Sequence, residues 1–164
     1  MEMTYGSEPA LLSRSLGLAD ANSTQNRFVG GVTYTTASKL SITAEYHYNG
    51  FALSQNDWAN LGAAASPAQI AYLREAFRLQ EVASRNAFLV YITQKSLLLK
   101  DLDLTAYLRV SPRDDSQLAW MELRHRWPSF DLSLRLQQSF GVLSSEFGIL
   151  PDNRVIQVLG TYYF

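Results

Sequence analysis

Asp101-Leu102-Asp103-Leu104-Thr105-Ala106-Tyr107-Leu108-Arg109-Val110-Ser111 alternates between apolar and polar residues along its whole length. Leu102, Leu104, Ala106, Leu108 and Val110 fall on one side; Asp103, Thr105, Tyr107 and Arg109 fall on the other. Successive strand side chains point to opposite faces, so the segment predicts a strand with one oily and one wet surface. Asp131–Val142 repeats the scheme, with Leu132, Leu134, Leu136, Phe140 and Val142 against Asp131, Ser133, Arg135, Gln137 and Ser139. Lys39–Asn49 sets Leu40, Ile42, Ala44, Tyr46 and Tyr48 against Ser41, Thr43, Glu45, His47 and Asn49. Weaker versions run through Arg27–Thr36, Arg85–Lys95, Gln117–Trp127 and Asn153–Phe164, and Met1–Gly6 reads as the end of another strand. The expectation is an all-β, antiparallel meander of eight strands forming one domain over residues 1–164.

Composition narrows the class. The chain has 164 residues, no cysteine, and 14 basic against 15 acidic residues. Disulfide frameworks, zinc–thiolate sites and thiol catalysis are excluded, and a nucleic-acid binder would carry a basic excess. No apolar run approaches the ~20 residues of a membrane helix, and mean hydropathy is -0.10. Taken alone, these numbers describe a soluble domain. An alternating strand, however, averages its two faces, so a neutral mean is what a membrane β-barrel would also give.

Strand length separates the two. Seven of the expected strands run about 10–12 residues, whereas globular strands average ~5–6 and tilted transmembrane strands need ~9–11. Aromatics gather near strand ends: Tyr46, Tyr48, Trp127, Phe140, Tyr162 and Phe164, where the interface girdles of transmembrane barrels lie. Connections alternate between long (7–26, 51–84) and short (36–38, 96–100), and the tight Pro128-Ser129 turn is followed by 143–152. Short periplasmic turns and longer external loops follow this rhythm in outer-membrane barrels. It would put the C-terminus in the periplasm. A soluble barrel or sandwich with its oily face inward is the competing reading, since it needs the same alternation.

Turn placement also predicts register. Closing a hairpin at Pro128-Ser129 with polar faces meeting puts Arg126 opposite Asp131 and Glu122 opposite Arg135. The preceding hairpin, by the same rule, puts Asp103 opposite Arg126 and Tyr107 opposite Glu122. Opposite charges across a ladder are favourable, so Glu45, Asp103, Arg109, Glu122, Arg124, Arg126, Asp131 and Arg135 are expected to form a matched network lining a lumen. In a wide barrel that network favours anionic solutes; in a small one it forms a salt-bridged filling.

The terminal residues Gln157-Val158-Leu159-Gly160-Thr161-Tyr162-Tyr163-Phe164 resemble the final-strand signal of bacterial outer-membrane β-barrels. Phe164 matches the terminal aromatic, Tyr162 the aromatic two before it and Gln157 the polar residue seven before it; the usual glycine falls at Leu159, with Gly160 next to it. The resemblance implies recognition by the barrel-assembly machinery, insertion into the lipid bilayer and an outer-membrane location. Met1-Glu2-Met3-Thr4-Tyr5 lacks a secretory signal pattern. With the short first strand, this favours the C-terminal part of a larger barrel over a complete small one.

Ser66-Pro67 supplies an N-cap and a first-turn proline, and helix formers follow from Ala68 to Glu81 with Ile70, Leu73 and Phe77 on one side. This predicts an amphipathic helix within 51–84, packed on the rim or folded into the lumen. Loop 7–26, with Leu11, Leu12, Leu16 and Leu18, reads as rim packing as well. A lipid hydrolase would need a serine within reach of His47, yet Ser41 and Ser54 are a strand and a loop away. His125 falls on the oily face. No metal spacing and no cofactor motif is present, so the expected function is a porin-like passive channel or transport barrel. The alternative is a non-conducting barrel acting as an anchor, adhesin or envelope-stability protein.

Overall fold

The computed structural model describes residues 2–9, 22–61 and 66–164. Eight strands form a single antiparallel sheet in strict chain order: β1 (Glu2–Pro9), β2 (Asn22–Thr35), β3 (Leu40–Asn49), β4 (Asn86–Gln94), β5 (Leu102–Ser111), β6 (Ser116–Trp127), β7 (Phe130–Phe140) and β8 (Arg154–Tyr162). Each strand pairs with its sequence neighbour, and β1 and β8 are the sheet's two edges. The architecture is the up-and-down meander expected of a barrel-like fold, with the sheet not closed. Among the described residues no helix is long and apolar enough to cross a membrane.

β1 and β2 pair from Glu2↔Val29 to Pro9↔Asn22, so both strands run further than the alternation suggested. The expected loop 7–26 therefore shrinks at both ends. Its apolar residues Leu11, Leu12, Leu16 and Leu18 lie outside the described residues.

Register agrees with expectation at β6–β7, where Glu122 faces Arg135 and Arg126 faces Asp131. At β5–β6 it is displaced by two residues: Asp103 faces Arg124, not Arg126, and Tyr107 faces Trp120, not Glu122. The turn explains the difference. Ser116 joins the ladder opposite Ser111, and its backbone N–H (3.2 Å) and hydroxyl (2.6 Å) both donate to Asp114 Oδ1. Asp115 then closes the corner with φ 54°, a left-handed conformation that aspartate tolerates better than most residues.

Residues 51–84 carry two helices, α1 (Gln55–Asn60) and α2 (Pro67–Leu79). Ser66 caps α2 as expected: its hydroxyl accepts from Gln69 N–H while the Gln69 side chain returns to the Ser66 N–H, and Gln80 ends the helix in a left-handed turn. The buried side is Gln69, Tyr72, Leu73 and Ala76 rather than Ile70, Leu73 and Phe77. Both sets have helical spacing; the loop core of Leu53, Trp58 and Ala83 takes the one carrying Tyr72, and Phe77 stays 43% exposed. α1 was not expected, although Ser54 and Asp57 form a reciprocal capping box.

The apolar core lies in these connections, not on the sheet. Ala52, Leu53, Trp58, Tyr72, Leu73, Ala76 and Ala83 form one cluster, with Leu61, Leu79 and Ile149 packed against it. It sits at the end of the sheet where β3 leaves, β4 enters and the β5–β6 and β7–β8 connections turn.

Candidate functional site

The two faces of the sheet are inverted relative to a water-soluble domain. By register, one face carries Val32, Ile42, Val90, Leu108, Leu134 and Val158, and these are exposed, Val32 by 67% and Val158 by 70%. The opposite face carries Asp103, Glu122, Ser133 and Ser139, which are buried; Asp103 and Glu122 are each only 7% exposed. Scattered exposed apolar residues are ordinary, but an apolar band across successive strands marks a surface made for something other than water.

On the polar face the buried carboxylates are each held by two cations. Asp103 Oδ2 accepts from Lys95 Nζ at 2.8 Å and lies 3.0 Å from Arg126 Nη2. Glu122 pairs with Arg124 Nη2 at 2.9 Å and with Arg135 Nε. Arg126 thus reaches Asp103 despite the displaced register, because a diagonal neighbour lies within range of a long side chain. Asp131, opposite Arg126 in the ladder, accepts from the Tyr163 hydroxyl at 3.2 Å. Desolvating a carboxylate costs several kcal/mol unless it is paired and hydrogen-bonded, which accounts for the bracketing. Lys95 closed the expected strand Arg85–Lys95 without being singled out; in the structure β4 ends at Gln94, and Lys95 reaches Asp103 from the turn.

Tyr107 stacks on Trp120 on the same face, with ring centroids 5.4 Å apart. Glu45 and Arg109, also on this face, divide between two contacts. Glu45 Oε2 lies 3.0 Å from His47 Nε2, and Arg109 Nη2 lies 3.4 Å from Glu146 Oε1. Gln157 is opposite Arg135 in β8, while Tyr162 lies across from Phe130 and meets Phe164 edge-on at 5.2 Å.

At the loop end a second polar cluster joins three connections. Ser84 Oγ donates to Glu146 Oε2 at 2.7 Å and accepts from the Ser111 hydroxyl. Arg113 is buried over the Trp58 ring at 4.0 Å, donates to Ala83 O at 2.9 Å, and pairs with Asp114 Oδ2 at 2.8 Å. Burial opposes ionisation of Asp114, but Arg113, the Ser116 hydroxyl and the Glu146 N–H outweigh it and hold the carboxyl below its ordinary value. Tyr72 donates to Ala83 O at 2.7 Å and accepts from Leu53 N–H at 3.0 Å; burial pushes its phenol up to about 12.

Ser84, Ser111, Arg113, Asp114 and Glu146 were not singled out by pattern. Glu146 lies in a Ser- and Gly-rich connection with no periodicity, and Arg113 finds partners distant in sequence. The serines engage a carboxylate and not an imidazole, while His47 engages Glu45. Among the described residues no group of three or more His, Asp or Glu side chains is arranged to hold a metal ion. No protein-family model, curated protein or solved structure matches the chain.

Proposed function

We propose that the chain is a wall of a bacterial outer-membrane β-barrel whose polar face lines a porin-like passage for small, preferentially anionic solutes. The observation that carries this reading is the inversion of the sheet: apolar side chains stand exposed while Asp103 and Glu122 are buried behind them. A bilayer solvates the first face, and a lumen encloses the second. With each of these carboxylates bracketed by two cations, the polar wall keeps cationic side chains partly exposed, such as Arg126 and Lys95. That supports a preference for anions. Long strands in neighbour-only order and the terminal Gln157, Tyr162 and Phe164 fit insertion by the barrel-assembly machinery, with the C-terminus in the periplasm.

Planar-bilayer recording tests this directly. The expected result is steady single-channel steps whose reversal potential in a KCl gradient moves toward that of chloride. Silence in a bilayer that contains inserted protein overturns the passage.

The ordered cap favours a second reading, a non-conducting barrel that works through its external loops. α1, α2 and the β7–β8 connection share one core at a single end of the sheet. Steady conductance argues against this alternative, and silence supports it.

A further inference from the structure

We propose that the exposed apolar face carries a built site for one phosphorylated membrane lipid, with its phosphate at Arg154 and an acyl chain in the hollow below. This rests on the membrane reading above. Ala106 and Ala119 are diagonal neighbours on that face, Ala106 opposite Met121 and Ala119 opposite Leu108, and Leu108, Met121 and Leu136 carry side chains several carbons longer. An alanine ends at Cβ, so the pair forms the floor of a hollow of about 680 Å³ with apolar walls. One end of it is polar: Ala119 is opposite Gln138, and Gln138 is opposite Arg154.

Arg154 is the informative residue. It opens β8 at the loop end, on the face whose central side chains, such as Leu108, Leu134 and Val158, are apolar. Its Nε donates to Gln138 Oε1 at 2.7 Å, and among the described residues no carboxylate pairs with its guanidinium. The Gln138 contact uses one donor and holds the group at the rim of the hollow, leaving its Nη donors for a ligand. A planar guanidinium matches a phosphate with two parallel N–H donors. At the end of a spanning strand a cation sits at headgroup depth, where it costs little, whereas at the midplane it would be expensive. An apolar trough that ends in an unpaired arginine at that depth has the shape and charge of one lipid: chain below, phosphate above.

Native mass spectrometry from detergent micelles tests the site, with dioleoyl phosphatidic acid and dioleoylglycerol as probes of equal chain length. The chain should retain one phosphatidic acid and hold it more tightly than diacylglycerol. Arg154→Gln should weaken phosphatidic acid roughly tenfold and leave diacylglycerol unchanged, the loss of one charged hydrogen-bonding group. Ala119→Phe, which fills the floor from the solvent side, should weaken both lipids. Equal retention of the two lipids, indifference to both substitutions, or a dimer that excludes lipid overturns the site. Liposome flotation separates the two levels: a chain that never enters bilayers overturns the membrane reading and this site together, whereas an inserted chain with equal retention overturns the site alone.

Discussion

Glu122 and Arg135 stand directly opposite each other in β6 and β7, and Arg135 Nε donates to Glu122 Oε2. The pair joins two adjacent strands on the polar face, and Arg124 completes the bracket from the Glu122 strand itself. Replacing Glu122 deprives the half-buried Arg124 and Arg135 of their shared carboxylate. Glu122→Gln is expected to cost about 1–3 kcal/mol of stability in detergent micelles. In a cycle with Arg135→Gln the coupling should be about 1 kcal/mol; strictly additive losses would show that the contact carries no energy.

Asp114 sets an acid limit on the loop end. Its carboxyl titrates lower in the folded chain than its ordinary value of 3.8, so the unfolded state binds more protons. Stability from this group is complete above about pH 4 and drains away as pH falls through the folded pKa. Acid titration of unfolding should therefore show a loss below pH 4 that Asp114→Asn flattens. An unchanged acid limb in the variant refutes the assignment.

Tyr72 is the pin of the loop core, joining Leu53 N–H and Ala83 O through one hydroxyl. Tyr72→Phe keeps the ring on Trp58 but orphans the buried Leu53 N–H, while Ala83 O keeps its Arg113 donor, at a cost of about 1–3 kcal/mol. Hydrogen exchange should speed up in residues 51–84 while the central strands stay protected. Its raised phenol also makes the core base-sensitive. Because the folded pKa is about 12 against an ordinary 10, this stabilisation is full below pH 10 and is lost between pH 10 and 12. If exchange accelerates equally in β5–β7, the loop core and the sheet are one cooperative unit.

The sheet was largely legible in the sequence, because a period of two over ten residues has few alternative explanations. The β6–β7 register was legible for a related reason: Pro128-Ser129 leaves a tight turn little choice. At β5–β6 the same rule missed by two residues, since the length of a Pro-Arg-Asp-Asp turn depends on a side-chain contact, Ser116 to Asp114. α1 is too short to show periodicity, yet its Ser54/Asp57 box was visible. The loop-end cluster was not legible at all. Arg113 is buried only because Trp58 and Tyr72 come to it from another connection, and nothing local to Arg113 marks it.

Arg113 gives a sharper mutational contrast. Lysine keeps the charge but cannot hold Ala83 O and Asp114 together while stacking on Trp58. Arg113→Lys should lose about 1–3 kcal/mol, close to the loss from Arg113→Met. A fully stable lysine variant would show that charge alone matters there.

The central claim is that exposed Val90, Leu108 and Leu134 face lipid while Ala87, Tyr107 and Ser133 face inward. The chain has no cysteine, so single cysteines can be placed and spin-labelled one at a time. Labels along 103–110 and 131–138 in liposomes would be read for collisions with oxygen, which concentrates in the bilayer, and with a water-soluble nickel chelate. The expected result is a period of two, with oxygen collisions high at 104, 106, 108, 132, 134 and 136 and low at the residues between. Absence of alternation, or oxygen access at 103, 107 and 133 instead, contradicts a membrane-facing apolar surface.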